Sequence, residues 1–391
     1  MRWRYRETVL ALVTLAFFVT MVGRLAISPV VPEITAEFEV SNAFVGAALT
    51  GMWLTYAFAQ FPSGLLADRY GERPIILVSV GGTGLTAILV VTAPSFGVFF
   101  LGTVSLGVMA GLHYSVATTL LSRTYDDNLG TAVGIHNSGA PIAGLVTPVV
   151  VSWAAIRYGW RPAVAITALV AIPATLLFAR YVHPTEPQRP DQRVRDRLEP
   201  GAMVELLSRP KIAFTAVIAL VADFTWQGLA SFLPTFFAAH RGHSATLAGV
   251  AFAAYFVVQG ILQVWVGSLA DRYGRDRAIA LCFGTSILGL AFLVGVPGPA
   301  GLVAGILLLG LGMGWGAAVF PRFMDNLSAD EQGAGFGLVR TVYMIVASSG
   351  SVVVGLLADL YGWAVSFGAL IGLLGLVLVL VLVNLRFDLG Y

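Results

Sequence analysis

Charge is scarce in this sequence. Asp, Glu, Lys and Arg make up 11% of its 391 residues, where soluble domains carry about 25%. The hydrophobic share is 57% and the mean hydropathy is +0.83. An exterior that poor in charge is stable against lipid rather than water. Cysteine occurs once, at Cys282, which excludes an intrachain disulfide and a cysteine metal cluster. Lysine also occurs once, at Lys211, and carries no inference. There is no Walker A motif, so ATP-driven transport has no support. Gly310-Leu-Gly-Met-Gly-Trp-Gly316 has the look of a phosphate loop, yet no strand precedes it and no lysine follows; inside an apolar run it reads as a close-packing helix face. No nucleic-acid motif appears, and no nucleophile–base–orienter set. Neither nucleic-acid binding, nor enzyme activity, nor a cofactor or metal is expected.

Long apolar runs are what the chain does have. A transmembrane helix needs roughly 20 mostly apolar residues. Runs of that size fall near 8–31, 44–66, 74–93, 97–121, 132–154 and 162–182, and again near 213–237, 246–268, 278–296, 301–323, 334–357 and 364–386. A polar, proline-containing segment, 184–212, separates the two sets, with a short amphipathic helix expected near 200–208. The first run is too long for a signal-peptide core and no A-x-A-like cleavage site follows it, so it is read as a retained first span. The fold class expected is an all-α membrane protein with twelve spans. A six-helix unit covers 1–183, a linker 184–212, and a second six-helix unit 213–391.

The two sets are copies. Gly64-Leu-Leu-Ala-Asp-Arg-Tyr-Gly-Glu-Arg73 and Gly267-Ser-Leu-Ala-Asp-Arg-Tyr-Gly-Arg-Asp276 place Asp68 and Asp271 203 positions apart (271 − 68). The same offset, without a gap, pairs Ser41 with Ser244, Gln60 with Gln263, Pro94 with Pro297, Gly107 with Gly310, and Tyr158-Gly-Trp160 with Tyr361-Gly-Trp363. Chance matches some glycines; it does not hold one register through the identity Leu66–Gly71 with Leu269–Gly274. The halves are therefore a parallel duplication. Arginine is concentrated on one side: that side holds Arg69, Arg73, Arg123, Arg272, Arg275, Arg277 and the linker arginines, while the opposite loops hold only Arg157, Arg161 and Arg241. By the positive-inside rule both termini and the linker are expected in the cytoplasm, in a prokaryotic plasma membrane.

The Gly64 stretch resembles the loop 2–3 signature of the major facilitator superfamily, G-x-L-A-D-R-x-G-R-R, and its copy stands where that family repeats it, in loop 8–9. The resemblance extends over the whole chain through the twelve spans, two halves and central linker. It implies a rocker-switch carrier: two six-helix bundles related by a pseudo-two-fold axis, opening a central site to one side at a time. It further implies that Asp68, Arg69 and Arg73, with Asp271, Arg272, Arg275 and Arg277, act in gating, Asp68 facing a helix N-terminus of the other half. The competing reading is a sharp turn that only fixes topology. The pattern also departs from the family. Glu72 replaces a basic residue, and Asp276 interrupts Arg275 and Arg277. Many proton-coupled drug exporters carry an arginine in span 4; here its place, before Gly107, is Thr103. The span 5 exporter signature is only half met by Gly139-Ala-Pro141-Ile-Ala-Gly144.

Ionisable residues inside spans cost roughly 2.5–3.5 kcal/mol on insertion scales, so each requires a reason. Arg24 lies in span 1, His113 in span 4, His136 and Asn137 in span 5, Asp223 and Gln227 in span 7, and Arg340 and Tyr343 in span 11. The repeat offset pairs Arg24 with Gln227 and Asn137 with Arg340, as expected where two repeats share one cavity. In the family resembled, these spans line or border that cavity. Arg24 and Arg340 are candidate forks for an oxyanion, because a guanidinium stays charged and binds such groups bidentately. His113, Asn137, Gln227 and Tyr343 are candidate substrate contacts beside them, with Trp226, Trp315 and Tyr114 as apolar walls. Asp223 or His136 is the candidate carrier of a coupling proton, and His113 could do the same. The alternatives are an ion bridge from Asp223 to Arg24 or Arg340, and plain interhelical hydrogen bonds from the histidines. Arg322, after Pro321, is expected to snorkel to the interface. The function expected is secondary transport of a small organic or inorganic anion, with H+ as the second partner, by a functional monomer in the bilayer. The alternatives are a proton-driven exporter of hydrophobic or cationic drugs, and a non-transporting receptor on the same fold.

Overall fold

The computed structural model describes residues 5–125, 128–187, 205–328, 331 and 334–391. Among these residues the structure is helical throughout. The first half holds α1 (Tyr5–Leu25), a 3-10 turn (Ser28–Val30), α2 (Val31–Phe38), α3 (Asn42–Tyr70), α4 (Glu72–Val91), α5 (Phe96–Gly111), α6 (Tyr114–Thr124), α7 (Leu129–Asn137), α8 (Gly139–Tyr158) and α9 (Trp160–Tyr181). The second holds α10 (Pro210–Ala239), α11 (Ala245–Tyr273), α12 (Arg275–Gly295), α13 (Gly298–Gly312), α14 (Gly316–Met324), α15 (Ala334–Ala347), α16 (Gly350–Tyr361) and α17 (Trp363–Phe387). Among the described residues, eleven helical stretches are long and apolar enough to cross a membrane. With α3, of 29 residues, they make up the twelve spans read from the sequence. Of the amphipathic helix expected at 200–208, residues 200–204 lie outside the described residues and 205–208 are helical.

The chain separates into two compact units, Met1–Val40 with Ala47–Leu198, and Ser41–Gly46 with Glu199–Tyr391. In the first, α1 buries Val9, Val13, Ala16 and Thr20, spaced by three or four residues, so one helical stripe faces the core. Against it pack Ile76 and Val80 of α4, Val116 and Leu120 of α6, and Ala171 and Phe178 of α9.

The repeat is visible in the backbone. Gly71 and Gly274, equivalent positions, end α3 and α11 with φ of +85° and +97° and begin the next helix directly. Only glycine adopts that conformation without strain, which allows the short charged turn. Gly107 and Gly310 are equivalent too. A Cβ on Gly107 would lie 2.1 Å from the Met52 carbonyl of α3, and one on Gly310 would lie 2.6 Å from Val258 of α11. Each half therefore brings its second and fourth spans together through the same glycine. Gly312 would meet Ser286 and the Cys282 carbonyl, so the glycine run at 310–316 is a packing face as expected.

Span 4 and span 10 break at equivalent places. At Leu112 and His113 the backbone N–H groups reach back only three residues, to Met109 and Ala110, both at 3.3 Å. Span 10 is interrupted between Gly312 and Gly316, where Gly314 N–H bonds Leu311 at 3.1 Å. Span 5 breaks at Ser138 and span 11 at Ser348–Ser349. Such interruptions are tolerated where the backbone is covered by protein or lines a cavity rather than facing lipid.

The symmetry fails at one helix start. Ser244 caps α11 itself, accepting from Leu247 N–H at 3.3 Å. The first turn of α3 groups with the second unit and is capped by a carboxylate of α16 instead. Asp359 accepts from the backbone N–H of Asn42 (3.2 Å) and Ala43 (2.7 Å) and from the Asn42 amide (2.8 Å). Gly46 and Gly355 allow the close approach, since a Cβ on either would fall 2.7 or 2.6 Å from the Ser351 or Asn42 carbonyl.

Candidate functional site

Each unit carries its own cluster of buried polar groups. In the first, Arg24 is only 4% exposed, in the last turn of α1. Its Nε donates to the Thr20 carbonyl (3.2 Å) and its Nη2 to Met21 Sδ (2.7 Å), so part of its hydrogen bonding returns to its own helix. The guanidinium lies 4.1 Å from the ring centre of Tyr56 and 5.4 Å from that of Trp53. Both rings come from α3, three residues apart, hence on one face. A desolvated guanidinium over an aromatic face is held in place while remaining a cation.

His113 and His136 are both wholly buried. His113 stands at the break between α5 and α6, and His136 in the last turn of α7. Their ring centres are 5.4 Å apart. Phe17 of α1 stacks on His113 at 5.9 Å and packs tilted, at 35°, against His136 at 4.9 Å, and Tyr114 lies 5.9 Å from His136. Asn137, next in sequence, points elsewhere and is exposed.

In the second unit Gln227 donates from its amide to Asp223 Oδ2 at 2.8 Å, one turn away on α10. The Gln227 amide oxygen is buried without a hydrogen-bond partner among the described residues. Arg340 of α15 acts electrostatically on the Asp223 carboxylate and lies 5.9 Å from the ring centre of Phe320. Phe320 in turn packs on Trp315 at 5.6 Å. Tyr343 is buried and stacks on Phe323, the planes 2° apart. Trp226 packs on Phe256 at 6.4 Å. The repeat pairing of Arg24 with Gln227 holds in burial, both side chains being enclosed. That of Asn137 with Arg340 does not, since Asn137 is exposed.

The charged turns are bound into their own units. Glu72, 1% exposed, accepts from Arg123 at 2.8 and 3.0 Å. Arg73 donates to the carbonyls of Val182 (2.7 Å) and Ala179 (2.6 Å), capping the end of α9. In the second unit Asp276 accepts from Arg322 (2.5 Å) and Asn384 (3.0 Å). Arg275 pairs with Asp271 and, at 3.1 Å, with Asp325. Arg277 reaches the Tyr273 carbonyl at 3.5 Å. Asp68 is half-buried, and Arg69 and Arg272 are exposed, Arg69 lying over Tyr70. The two carboxylates that interrupt the basic pattern thus each hold an arginine of the following span. Arg322, expected to snorkel, is 5% exposed and engaged within its own unit by Asp276, whose side chain is 20% exposed, by Thr215 and by the Tyr391 carbonyl. Beside it an open cavity of about 510 Å³ is lined by Lys211, Arg275, Asp276, Arg322 and Asp325 and includes none of the predicted substrate-binding residues.

A sequence model described as Major Facilitator Superfamily matches residues 13–236 and 215–388. The chain belongs to the major facilitator superfamily. It is an integral, multi-pass membrane protein. It is 28% identical over 173 residues to the membrane sensor protein UhpC of Escherichia coli K12, an alignment spanning 44% of this chain and only 39% of that protein. It is 20% identical over 366 residues to the hexuronate transporter of Bacillus subtilis, covering 89% and 87% of the two chains. It is 25% identical over 365 residues to the multidrug resistance protein MdtG of Yersinia enterocolitica, covering 90% and 87%. Among solved structures, a bacterial homologue of the human lysosomal transporter Spinster superposes with a TM-score of 0.83 at 15% identity, over 99% of this chain and 98% of that one. At that identity the likeness concerns the superfamily fold alone.

Trp53, Tyr56 and Phe17 are the cluster residues that sequence reasoning passed over. Their only signal is an aromatic pair at helical spacing in span 2 and a phenylalanine two turns before Arg24. Most such residues in a span face lipid or fill core.

Proposed function

We propose that the chain is a secondary carrier, working by alternating access, for a small organic or inorganic anion with proton coupling. The observation that carries this reading is Arg24, a buried cation held between Tyr56 and Trp53. A permanent charge is kept in a low-dielectric place at considerable cost, and an oxyanion entering beside it recovers that cost. Arg340 is the matching cation of the second unit, with His113, Asn137, Gln227 and Tyr343 as further substrate contacts. Asp223 and His136 are the proton-carrying candidates. Asp68, Arg69, Arg73, Asp271, Arg272, Arg275 and Arg277 gate, with the termini cytoplasmic, in a prokaryotic plasma membrane, the monomer being the working unit. The similarity to a hexuronate transporter supports an acidic substrate.

The test is thermal stabilisation of the purified protein by a panel of carboxylates, phosphates, sulfonates and lipophilic cations, D-glucuronate included. A ligand at about 100 times its Kd stabilises the folded state by about 2.7 kcal/mol. The expected result is a shift by an anion that Arg24→Gln abolishes, together with uptake of that anion into proteoliposomes. Uptake unchanged in both Arg24→Gln and Arg340→Gln refutes the role of the arginines. Two further readings have their own support. Similarity to UhpC favours a sensor, which binds the anion without flux. Similarity to MdtG favours an exporter, in which only lipophilic cations stabilise and Asp223→Asn removes the effect.

A further inference from the structure

We propose that His113 and His136 together form a proton-binding site of the first unit that holds one exchangeable proton. As the place where the coupling proton rides, this rests on the carrier reading above; as a one-proton site it stands independently of it.

Both imidazoles are wholly buried, yet none of their four ring nitrogens meets a hydrogen-bond partner of good geometry among the described residues; the Val13 backbone lies alongside both. A neutral imidazole carries one donor and one acceptor, and leaving these unmet in a packed interior is unfavourable. A pair of buried, unmet imidazoles at one place is difficult to account for as structure, because leucine or phenylalanine fills the same volume without that penalty. Among the described residues, the one interhelical group within reach of both rings is the Val13 backbone of α1, and a single carbonyl there cannot meet the donor and acceptor needs of two imidazoles.

A shared proton removes the difficulty. With ring centres 5.4 Å apart, rotation of the two rings brings one nitrogen of each within hydrogen-bonding distance. One ring then donates as imidazolium and the other accepts. A second proton would place two cations in contact in a low-dielectric interior, where their repulsion is large. The pair therefore titrates as a unit. Phe17, stacked on His113 and tilted against His136, places its ring beside the resulting cation.

The surroundings fit a site that opens and closes. His113 stands at the Leu112–His113 break, and His136 lies two residues before the break at Ser138. Backbone rearrangement at either break turns a ring without unfolding a continuous helix. Among the described residues, two other titratable groups face the pair: Arg24 of α1, which acts on His113, and Tyr114 of α6, which packs on His136. The Arg24 charge opposes a cation on the pair, and an anion seated on Arg24 cancels that opposition. Anion and proton then favour one another's binding, and by linkage the effect is reciprocal.

The chain has five histidines. In the full-length triple variant His183→Gln, His240→Gln, His243→Gln, only the pair remains. Solid-state imidazole ¹⁵N spectra of this protein in lipid bilayers, recorded from pH 8.5 to 4.5, count protons directly. The expected result is a gain of one proton by the two rings together, and of one proton by the single ring left when His136→Asn or His113→Asn is added. A gain of two protons by the intact pair, or of none, overturns the proposal. The titration needs no substrate. A protein that gains one proton here but carries no solute refutes the carrier reading and leaves the site standing.

Discussion

Replacing Glu72 by glutamine removes the charge from a carboxylate that is 2% exposed in its side chain and bonded twice by Arg123, whose own side chain is 33% exposed. Breaking a fully buried ion pair costs about 3–5 kcal/mol. Because Arg123 reaches solvent and retains a bond to the Glu186 carbonyl at 3.0 Å, the expected loss for Glu72→Gln is lower, about 2 kcal/mol. Arg123→Gln should cost more, about 3 kcal/mol, since it strands the enclosed carboxylate. The double variant should cost less than the sum, with a coupling of about 1–2 kcal/mol. Glu72→Arg, which restores the basic residue usual at this place in the family, should be the least stable, setting two guanidinium groups together. The assay is a double-variant cycle on apparent melting temperatures of the detergent-solubilised protein. Additivity within about 0.5 kcal/mol, or a Glu72→Arg protein as stable as the parent, would refute the view that this departure from the family pattern is held by Arg123.

Four other outcomes are expected. Gly107→Val drives a side chain into the Met52 carbonyl, 2.1 Å from the ideal Cβ, so α3 and α5 must separate and folded yield by size-exclusion chromatography should collapse. Gly310→Ala meets the Val258 side chain instead and should be milder. Asp359→Asn weakens the cap on α3 by about 1 kcal/mol and should raise the hydrogen exchange of the Asn42 and Ala43 amides; unchanged protection there contradicts the capping role. The Glu331 carboxyl is held at about 2, against an ordinary 4.5, chiefly by hydrogen bonding from Arg209 and then from Ser328. Its stabilising contribution is therefore complete above about pH 4.5 and is lost as pH falls through about 2. Melting curves from pH 6 to 2 should show that acid-labile component in the parent and not in Arg209→Gln.

Much of the architecture is written locally. The twelve apolar runs, the 203-residue repeat and the glycines at its turns suffice for the family fold, because each depends on one segment at a time: length sets a span, and a missing Cβ permits a turn or a close contact. Individual polar residues inside spans were equally conspicuous, since in lipid each is an energetic exception.

Partnership was not legible. Arg322 reads as a snorkelling interface residue until Asp276, 46 positions away, is seen against it. Glu72 and Asp276 read as defects in a basic motif, whereas each is the acceptor that holds an arginine of the next span. Asn137 and His136 look equivalent in sequence, but one turn of α7 buries the second and exposes the first. Tyr56 and Trp53 mean nothing for Arg24 until α3 is laid against α1.

The sequence by itself determined the membrane class, the duplicated helical plan and the short set of side chains able to do chemistry, because hydrophobic length, small-residue spacing and the cost of burying charge act within a single helix. Only the tertiary structure decided which of those side chains meet: the pair His113–His136, Arg24 with Tyr56 and Trp53, the ion pairs of the charged turns. Those contacts depend on the rotation and breaks of helices packed from distant parts of the chain, and no local pattern encodes the angle at which two helices cross.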